Sequence, residues 1–443
     1  MSSRPLAAPN PLDWPLTHGA VLFAVMTVGI AALLGLGVPG GRRWWRRRLP
    51  GAVVAAAVLT VLLQIAVDDW WQPFPEELPI QVTAWIGVGL LALALAVARL
   101  LPPGPGRRRG RFGVVLAAVL VLLMSSDQVN GFFEQYPSGR VLLDSWFGRA
   151  HPLTVASSSD TVAAPSGRAL AEVWRRPEGL PAKGTVSSAP VPGAKSGFKA
   201  RDAYVYLPPA YQAEPRPLLP VLVLMAGQPG TPADWVNSGR LAELLDDFAA
   251  GHDGLAPIVL VIDQIGSAWG NPLCMDSRIA KSQTYLAEDV PDWIHTHLQT
   301  ATGRGSLAIG GMSLGGTCAL QLAVNAPQVY GTFLDISGQQ EPTLGSHGKT
   351  VKATFGGDEA AFDAVDPMHL MARRKFPETA GAFVVGEGDR KYGPQQRRVY
   401  AAAVEAGMRA TFTAMPGGHD WKAFQGGLVH NLPWLAQQMG LIR

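Results

Sequence analysis

A glycine-rich turn near residue 313 carries a serine at its centre. Residues 311–315 read GMSLG, after the apolar residues 307–309 and before a helix-forming segment that ends at Asn325. A serine at such a strand–turn–helix junction has a strained backbone, and the flanking glycines avoid collisions with the strand and helix. Its hydroxyl is exposed at a helix N-terminus, where N–H groups and the helix dipole stabilise a developing oxyanion. The pattern predicts that Ser313 is a nucleophile, the alternative being an ordinary glycine-rich turn.

A histidine far downstream is the predicted base. A serine hydroxyl is a weak nucleophile at neutral pH and needs a base that a third group orients. In one common chain order the serine comes first, then the acid, then the histidine. His419 lies in residues 416–421 (PGGHDW), directly after the last predicted strand, whereas His430 falls inside the last predicted helix. We therefore expect His419 to be the base, and a plain surface histidine is the alternative.

Two carboxylates compete for the role of the acid. Glu387 and Asp389 both follow the predicted strand at residues 382–385. Asp389 lies three residues past the glycine that ends this strand, which is the usual offset for such a loop acid, so it is preferred while Glu387 stays an alternative. Asp358 also follows an apolar segment, but it is expected to be a loop or helix-cap residue.

Backbone donors for an oxyanion are predicted in two places. The first is the N–H of Leu314, the residue after the serine. The second is the N–H of Gln228 in residues 226–230 (AGQPG), since Pro229 has no N–H to donate. Trp235 and Trp421 are candidates to line the mouth of the site and contact substrate, with ordinary packing as the equal alternative.

The elements that must position these residues alternate in type from about residue 184 onward. Strands are predicted at residues 185–187, 203–207, 220–225, 257–262, 307–310, 331–336, 351–355, 382–385 and 410–415. Helices are predicted at residues 238–250, 281–299, 314–325, 394–406 and 422–439. Near-continuous apolar strands that alternate with helices are typical of a mostly parallel sheet covered on both faces. The predicted fold class is therefore α/β, with a doubly wound sheet.

Four apolar runs occupy the first third of the chain, at residues 19–38, 51–67, 82–101 and 112–126. The first and third are long enough to cross a bilayer, and the other two need flanking residues or a thin bilayer. Buried helices of a soluble core are the alternative, but four such runs with few internal charges fit a membrane better. The sequence thus predicts a domain of four transmembrane helices over residues 1–127, with the lipid bilayer as a partner.

The loops between these runs differ in charge. Arginines crowd residues 42–48 and 107–111, whereas residues 68–77 carry four acidic side chains, Glu76 among them, and no basic one. Under the positive-inside rule the arginine loops are cytoplasmic. Everything after residue 126 is then outside the cytoplasm. Nucleic acid is a weaker explanation for the arginines, and no nucleic-acid partner is predicted.

Taken together, the C-terminal motifs resemble the esterase D and mycolyltransferase-like branch of the α/β-hydrolase superfamily, which includes feruloyl esterases. The matching residues are 206–209 (YLPP), 227–230 (GQPG), 283–286 (QTYL), 311–316 (GMSLGG) and 417–421 (GGHDW). The resemblance covers residues 184–443 and implies an α/β-hydrolase fold. It also implies a nucleophile at Ser313, a base at His419 and oxyanion donors at Gln228 and Leu314. Mycolyltransferase-like members use a glutamate as the acid, which keeps Glu387 as an alternative.

The two cysteines fall near this site. Cys318 lies five residues past Ser313, and Cys274 lies in a loop that follows the predicted strand at residues 257–262. Both belong to the same edge of the predicted sheet, and a disulfide is permitted outside the cytoplasm. We expect a Cys274–Cys318 disulfide, with two free buried thiols as the alternative. No Cys/His cluster has metal-ligand spacing, so neither a metal nor a cofactor is predicted.

These observations predict a membrane-anchored serine ester hydrolase or acyltransferase that works through an acyl-enzyme. The expected substrate is a small-molecule, lipid or glycolipid ester, and the sequence does not predict an oligomeric state. Residues 128–183 are expected to be a linker and membrane-proximal segment, and residues 184–443 an extracytoplasmic catalytic domain. The alternative is a non-catalytic envelope scaffold or sensor that kept the fold. Transport is less favoured, because no charged residue lies well inside any apolar run.

Overall fold

The computed structural model describes residues 10–38, 41–71, 77–101, 108–148, 150–303 and 305–443. Glu76 and Arg107, which belong to the predicted loops, lie outside the described residues. The chain forms two compact units, Met1–Phe147 and Gly148–Arg443. The predicted boundaries at residues 127 and 183 stay predictions, although Leu170 and Trp174 already pack in the core of the second unit.

The first unit is helical. Its helices are α1 (Gly19–Gly37), α2 (Leu49–Ile65), α3 (Ile80–Leu100), α4 (Arg108–Phe133) and α5 (Gly139–Phe147). Among the described residues, four helical segments are long and apolar enough to cross a membrane by length and composition: Gly19–Gly37, Trp44–Trp71, Ile80–Leu100 and Gly110–Phe133. The second segment is longer than the apolar run in the sequence, because π-helical turns extend α2 at both ends.

Small residues let the helices of the first unit approach closely. Helix α1 packs on α4, α4 on α3, and α3 on α2. A Cβ added at Gly29 would lie 2.5 Å from the sulfur of Met124, and one added at Gly89 would lie 3.2 Å from Leu122. Close packing at glycine is a common way to join helices in lipid, where no hydrophobic effect drives them together.

The second unit is built on a nine-stranded sheet. Its strands are β1 (His151–Pro152), β2 (Thr161–Val162), β3 (Thr185–Ala189), β4 (Ala203–Leu207), β5 (Arg216–Pro217), β6 (Val221–Met225), β7 (Ile258–Ile262), β8 (Leu307–Met312), β9 (Thr332–Ile336), β10 (Ala380–Gly386) and β11 (Arg409–Met415). The order is β1-β3-β4-β7-β6-β8-β9-β10-β11, and β2 pairs with β5 separately. Only β4 is antiparallel to its sheet neighbours β3 and β7, so the predicted mostly parallel sheet is confirmed.

Helices cover both faces of this sheet. They are α6 (Ala233–Asn237), α7 (Leu241–Ala250), α8 (Ser282–Thr284), α9 (Val290–His297), α10 (Leu314–Asn325), α11 (His347–Phe355), α12 (Glu359–Asp363), α13 (Pro367–Arg373), α14 (Tyr392–Glu405) and α15 (Trp421–Gln438). Alternate residues of β6 belong to two separate core clusters, with Val223 in one and Leu222 and Leu224 in the other. A strand buried on both faces needs the continuous apolar sequence that the central strands have.

One predicted strand is wrong. Residues 351–355 form the end of α11 and not a strand. Thr350, Val351 and Thr354 are buried, as expected for one helical face, and Gly356 ends the helix in a left-handed conformation. A short apolar run with β-branched residues does not by itself distinguish a strand from a buried helical turn. The prediction that Asp358 caps a helix is confirmed, because its side chain accepts a hydrogen bond from the N–H of Ala361.

Candidate active site

The predicted site residues follow four strands of the sheet at its carboxyl edge. Gln228 comes after β6, Ser313 after β8, Asp389 after β10 and His419 after β11. All four strands run parallel, and the spatial order is β6-β8-β9-β10-β11, with β9 between the strands that precede Ser313 and Asp389. In open α/β sheets, ligands bind outside the carboxyl ends of the strands. The topology therefore assembles residues almost two hundred positions apart along one edge.

The turn at Ser313 has the strained backbone that the sequence predicted. Its φ is 53° and its ψ is −121°. An added Cβ at Gly311 would lie 2.5 Å from the backbone of Gly315, and one at Gly315 would lie 2.4 Å from the carbonyl oxygen of Met225. Real side chains do not tolerate such distances, so both glycines are needed for the turn to close. The N–H of Ser313 donates to the carbonyl of Ile336 at 2.7 Å, which ties the turn to β9.

The loop after β6 approaches the serine directly. An added Cβ at Gly227 would lie 3.2 Å from the Cβ of Ser313 and 3.6 Å from its Oγ. Helix α10 begins at Leu314, so the N–H of Leu314 is one of those that have no partner within their own helix. The predicted donor Gln228 is the next residue after Gly227. The loop and the helix start thus border the same small volume beside the hydroxyl.

Asp389 and His419 form a hydrogen-bonded pair. The Nδ1 atom of His419 lies 2.9 Å from Oδ2 of Asp389, with the histidine side chain 18% exposed and the aspartate 2% exposed. Oδ1 of Asp389 accepts from the N–H of Tyr392 at 2.9 Å. Burial by itself would raise the pKa of Asp389, but the hydrogen bond and charge of His419, together with the N–H of Tyr392, hold this pKa below its usual value. The aspartate is therefore an anion at neutral pH.

Aromatic rings restrict the imidazole of His419. The ring of Tyr392 lies 4.6 Å from it in a tilted arrangement, and that of Phe424 lies 5.1 Å away, edge to face. Packing on two sides and a fixed Nδ1 contact leave the imidazole few orientations. A base that is oriented in this way is what nucleophilic catalysis by a serine requires.

The structure separates the two acid candidates. Glu387 is exposed, and its backbone N–H donates to the carbonyl of Met415 at 2.8 Å. Asp389, two residues later, is buried and contacts His419. The geometry thus brings Asp389 to the histidine and leaves Glu387 facing solvent.

Both tryptophans proposed as substrate contacts lie in the interior. Trp235 is 0% exposed and its indole N–H donates to the carbonyl of Met225 at 2.9 Å. Trp421 is 3% exposed and packs against Trp235 in a T-shaped pair with ring centres 5.3 Å apart. Both rings therefore pack against each other in the interior of the second unit. A substrate contact by either ring stays a prediction.

The two cysteines are joined. Cys274 and Cys318 form a disulfide with a Cα–Cα distance of 5.4 Å, and both residues are buried. Cys318 lies in α10, so the disulfide ties the loop after β7 to the helix that starts at the serine.

A buried carboxyl beside this helix was missed by the sequence reasoning. Asp335 lies on β9 and is fully buried, and burial raises its pKa to about 7. Its Oδ1 accepts from the N–H of Gly338 at 3.0 Å, and an added Cβ at Gly316 in α10 would lie 2.4 Å from this oxygen. The signal was present, since an aspartate interrupts an otherwise apolar strand sequence, FLDI. Such an interruption is worth noting in any strand next to a candidate nucleophile.

The fold is that of the α/β hydrolases, and the residue types at this edge of the sheet are those of a serine esterase. Residues 199–435 match the model of the esterase family described as "Putative esterase", and the chain belongs to that family. Membership of this family indicates small-molecule esters as the class of substrate.

Known proteins resemble the chain at two levels. An uncharacterised protein of Corynebacterium glutamicum is 35% identical over 442 residues, which cover 96% of this chain and 98% of that protein. A ferulic acid esterase structure is matched with a TM-score of 0.51 at 18% identity, over 59% of this chain and all of that one. An S-formylglutathione hydrolase of Agrobacterium tumefaciens is matched with a TM-score of 0.47 at 18% identity, over 58% and 97% of the two chains. The first of these two structures supports the fold.

Proposed function

We propose that this protein is a membrane-anchored serine esterase or acyltransferase whose catalytic unit acts outside the cytoplasm. The observation that carries the proposal is the 2.9 Å contact between His419 and Asp389, at the same sheet edge as the strained turn of Ser313. Each of the three residue types has the role that its chemistry suits: a hydroxyl, a base and a buried anion.

In the proposed first half-reaction, Oγ of Ser313 attacks the carbonyl carbon of an ester. His419 takes the hydroxyl proton, and Asp389 orients the imidazole and stabilises its positive charge. The N–H groups of Leu314 and Gln228 donate to the oxygen that becomes negative. When the tetrahedral intermediate collapses, His419 returns the proton to the leaving alcohol and an acyl-Ser313 ester remains.

In the second half-reaction an acceptor hydroxyl attacks the acyl group. His419 takes the proton of the acceptor, the oxyanion forms in the same place, and collapse releases Ser313 with its proton. Water as the acceptor gives hydrolysis, and a sugar or lipid hydroxyl gives acyl transfer. Attachment to a membrane favours lipid or glycolipid esters as substrates.

The proposed orientation rests on charge and on the disulfide. The arginine-rich segments at residues 42–48 and 107–111, at the ends of apolar helices, favour the cytoplasmic side. The Cys274–Cys318 disulfide in the catalytic unit supports an oxidising location, since thiols are kept reduced in the cytosol.

A fluorophosphonate probe tests the proposed nucleophile. The probe reacts with serine hydroxyls that a neighbouring base activates, so the wild-type chain in detergent should be labelled and Ser313→Ala should not. The label should map to the peptide that contains Ser313. Equal labelling of both proteins would reject this residue as the nucleophile.

Thiol labelling in intact cells tests the orientation. Glu77, in the acidic segment at residues 68–77, is exposed. Arg46, in the arginine-rich segment at residues 42–48, is also exposed. A membrane-impermeant maleimide should label Glu77→Cys and leave Arg46→Cys unlabelled until the cells are opened. The reverse pattern would invert the proposed topology.

A further inference from the structure

The loop that carries Gln228 is held by a neighbouring segment. Three hydrogen bonds join the oxyanion loop, residues 226–230, to the residues that follow β7. The side-chain amide of Gln264 donates to the carbonyl of Ala226 at 2.5 Å. The N–H of Gly230 donates to the carbonyl of Ala268 at 3.2 Å. The amide of Gln228 itself donates to the carbonyl of Trp269 at 3.3 Å.

These contacts bracket the proposed oxyanion donor. One lies two residues before Gln228, one lies two residues after it, and one is made by its own side chain. The position of the Gln228 N–H therefore depends on the segment at residues 263–274, which we name the bracing segment.

An ion pair between the buried Asp263 and the partly exposed Arg201 fixes the start of the bracing segment. Asp263 is fully buried, and its carboxylate accepts two hydrogen bonds from the guanidinium of Arg201 at 2.7 and 2.9 Å and one from the backbone N–H of Arg201 at 2.7 Å. It also accepts from the N–H groups of Ile265 and Gly266 at 3.2 and 3.1 Å. Burial alone would raise the pKa of Asp263, but these donors lower it overall. The carboxylate of Asp263 thus holds the turn from which residues 264–269 reach the oxyanion loop.

The disulfide fixes the end of the same segment. Cys274 is bonded to Cys318 in α10, the helix whose first residue is Leu314. One proposed oxyanion donor is therefore held by the bracing segment, and the other starts the helix to which that segment is covalently attached.

We propose that the bracing segment sets the spacing of the two oxyanion donors, with Asp263, Gln264 and the Cys274–Cys318 disulfide as positioning residues. This proposal rests on the proposed function. None of these groups touches the substrate. They act through Gln228, whose N–H must lie near 3 Å from an oxygen that becomes negative only in the transition state. Loosening the segment should therefore lower kcat more than it changes KM.

Three changes to the full chain in detergent test the proposal: Gln264→Met, Asp263→Asn and the double change Cys274→Ala with Cys318→Ala. Gln264→Met keeps the side-chain length and removes only the donor to Ala226. Asp246→Asn is the matched control, because Asp246 also accepts from a backbone N–H and a side chain, those of Gly184 and Tyr206 at 2.7 Å each, outside the bracing segment. The readouts are kcat and KM for p-nitrophenyl acetate, the rate of fluorophosphonate labelling and the melting temperature.

Loss of one oxyanion donor lowers kcat by about 10²–10³, so a displaced donor should lower it by about tenfold or more. Each bracing variant should show this loss of kcat with little change in KM and with slower labelling. The control Asp246→Asn should keep the wild-type kcat even if its melting temperature falls as much as that of the bracing variants. If the bracing variants keep the wild-type kcat, or change only as the control does, the proposal is overturned. Should the aspartate or cysteine variants fail to fold, Gln264→Met alone decides. A wild-type chain that is neither labelled nor active would instead overturn the proposed function.

Discussion

The two units of this chain expose apolar side chains to very different extents. In the first unit Phe23 is 74% and Trp70 77% exposed, and valines and leucines lie along the outer faces of α1, α2 and α4. In the second unit the exposed large apolar residues among those described are Trp269, Ile279, Val404 and Val429. The second unit buries its apolar residues on both faces of a sheet, as a protein in water must.

This difference is the one expected between a unit that faces lipid and a unit that faces water. Helices that are apolar on all sides are stable in lipid, where backbone groups are satisfied inside the helix. A large apolar surface in water would instead promote association. We therefore expect catalysis in the second unit and membrane attachment in the first.

The largest effect is expected for His419→Ala. Without a base the hydroxyl of Ser313 stays protonated, and kcat should fall by about 10⁴–10⁶, the scale seen when a triad base is removed. Turnover of p-nitrophenyl acetate measures this loss. Membrane association of the variant should equal that of the wild type, and a variant that keeps most of its activity would place the chemistry elsewhere.

Asp389→Asn comes next, with Glu387→Gln as its control. An asparagine keeps the shape of Asp389 but not its charge, so kcat should fall by about 10³–10⁴. Glu387 is exposed and lies two residues before Asp389 in the same loop. Its change to glutamine should alter kcat by less than about threefold, because exposed charges interact weakly. Measurement of kcat for both variants would distinguish the two acids. A larger loss of kcat in Glu387→Gln would assign the role of the acid to Glu387 instead of Asp389.

A matched pair of valines compares the two solvents directly. Val58 in the Trp44–Trp71 segment is 51% exposed, and Val404 in α14 is 47% exposed. An aspartate near the centre of a spanning helix costs about 3 kcal/mol of insertion free energy, whereas a surface change in water stays within about 0.5 kcal/mol. Val58→Asp should lower the yield of carbonate-resistant membrane protein, and Val404→Asp should not. Equal yields would contradict a membrane role for this helix.

The last prediction concerns the pH dependence of stability within the second unit. Burial raises the pKa of Asp335 to about 7 in the folded chain, from its ordinary value of 3.8. The folded state then holds a proton that the unfolded state has lost, so this group makes the unit less stable as pH rises from about 4 to about 7. Asp335→Asn does not titrate. Its stability relative to wild type, measured by urea unfolding, should improve between about pH 5 and about pH 8, and parallel pH profiles would contradict the assignment.

The sequence predicted the parts of the fold that repeat a strong local pattern. The turn at Ser313 was predicted because glycine spacing and strand–helix alternation are local features, and α10 runs from Leu314 to Asn325 as expected. Residues 351–355 were misassigned because five residues are too few to show a helical period.

Some features that depend on long-range contacts could not be predicted. Glu387 and Asp389 share one loop, and only the packed structure decides which carboxylate is buried against His419. The oxyanion loop is held in part by the backbone carbonyls of Ala268 and Trp269. Every residue type has a backbone carbonyl, so such acceptors cannot be recognised from the sequence. The burial of Trp235 likewise follows from which faces pack together.

The most direct test of the central claim is to trap the acyl-enzyme. The full chain in detergent is mixed briefly with p-nitrophenyl acetate, quenched in acid and digested. The mass of the peptide that contains Ser313 is then measured by mass spectrometry. The account predicts a gain of one acetyl group on Ser313 that is absent when the substrate is omitted. Turnover with the acetyl group on another residue, or with no acylated serine in the quenched enzyme, would contradict it.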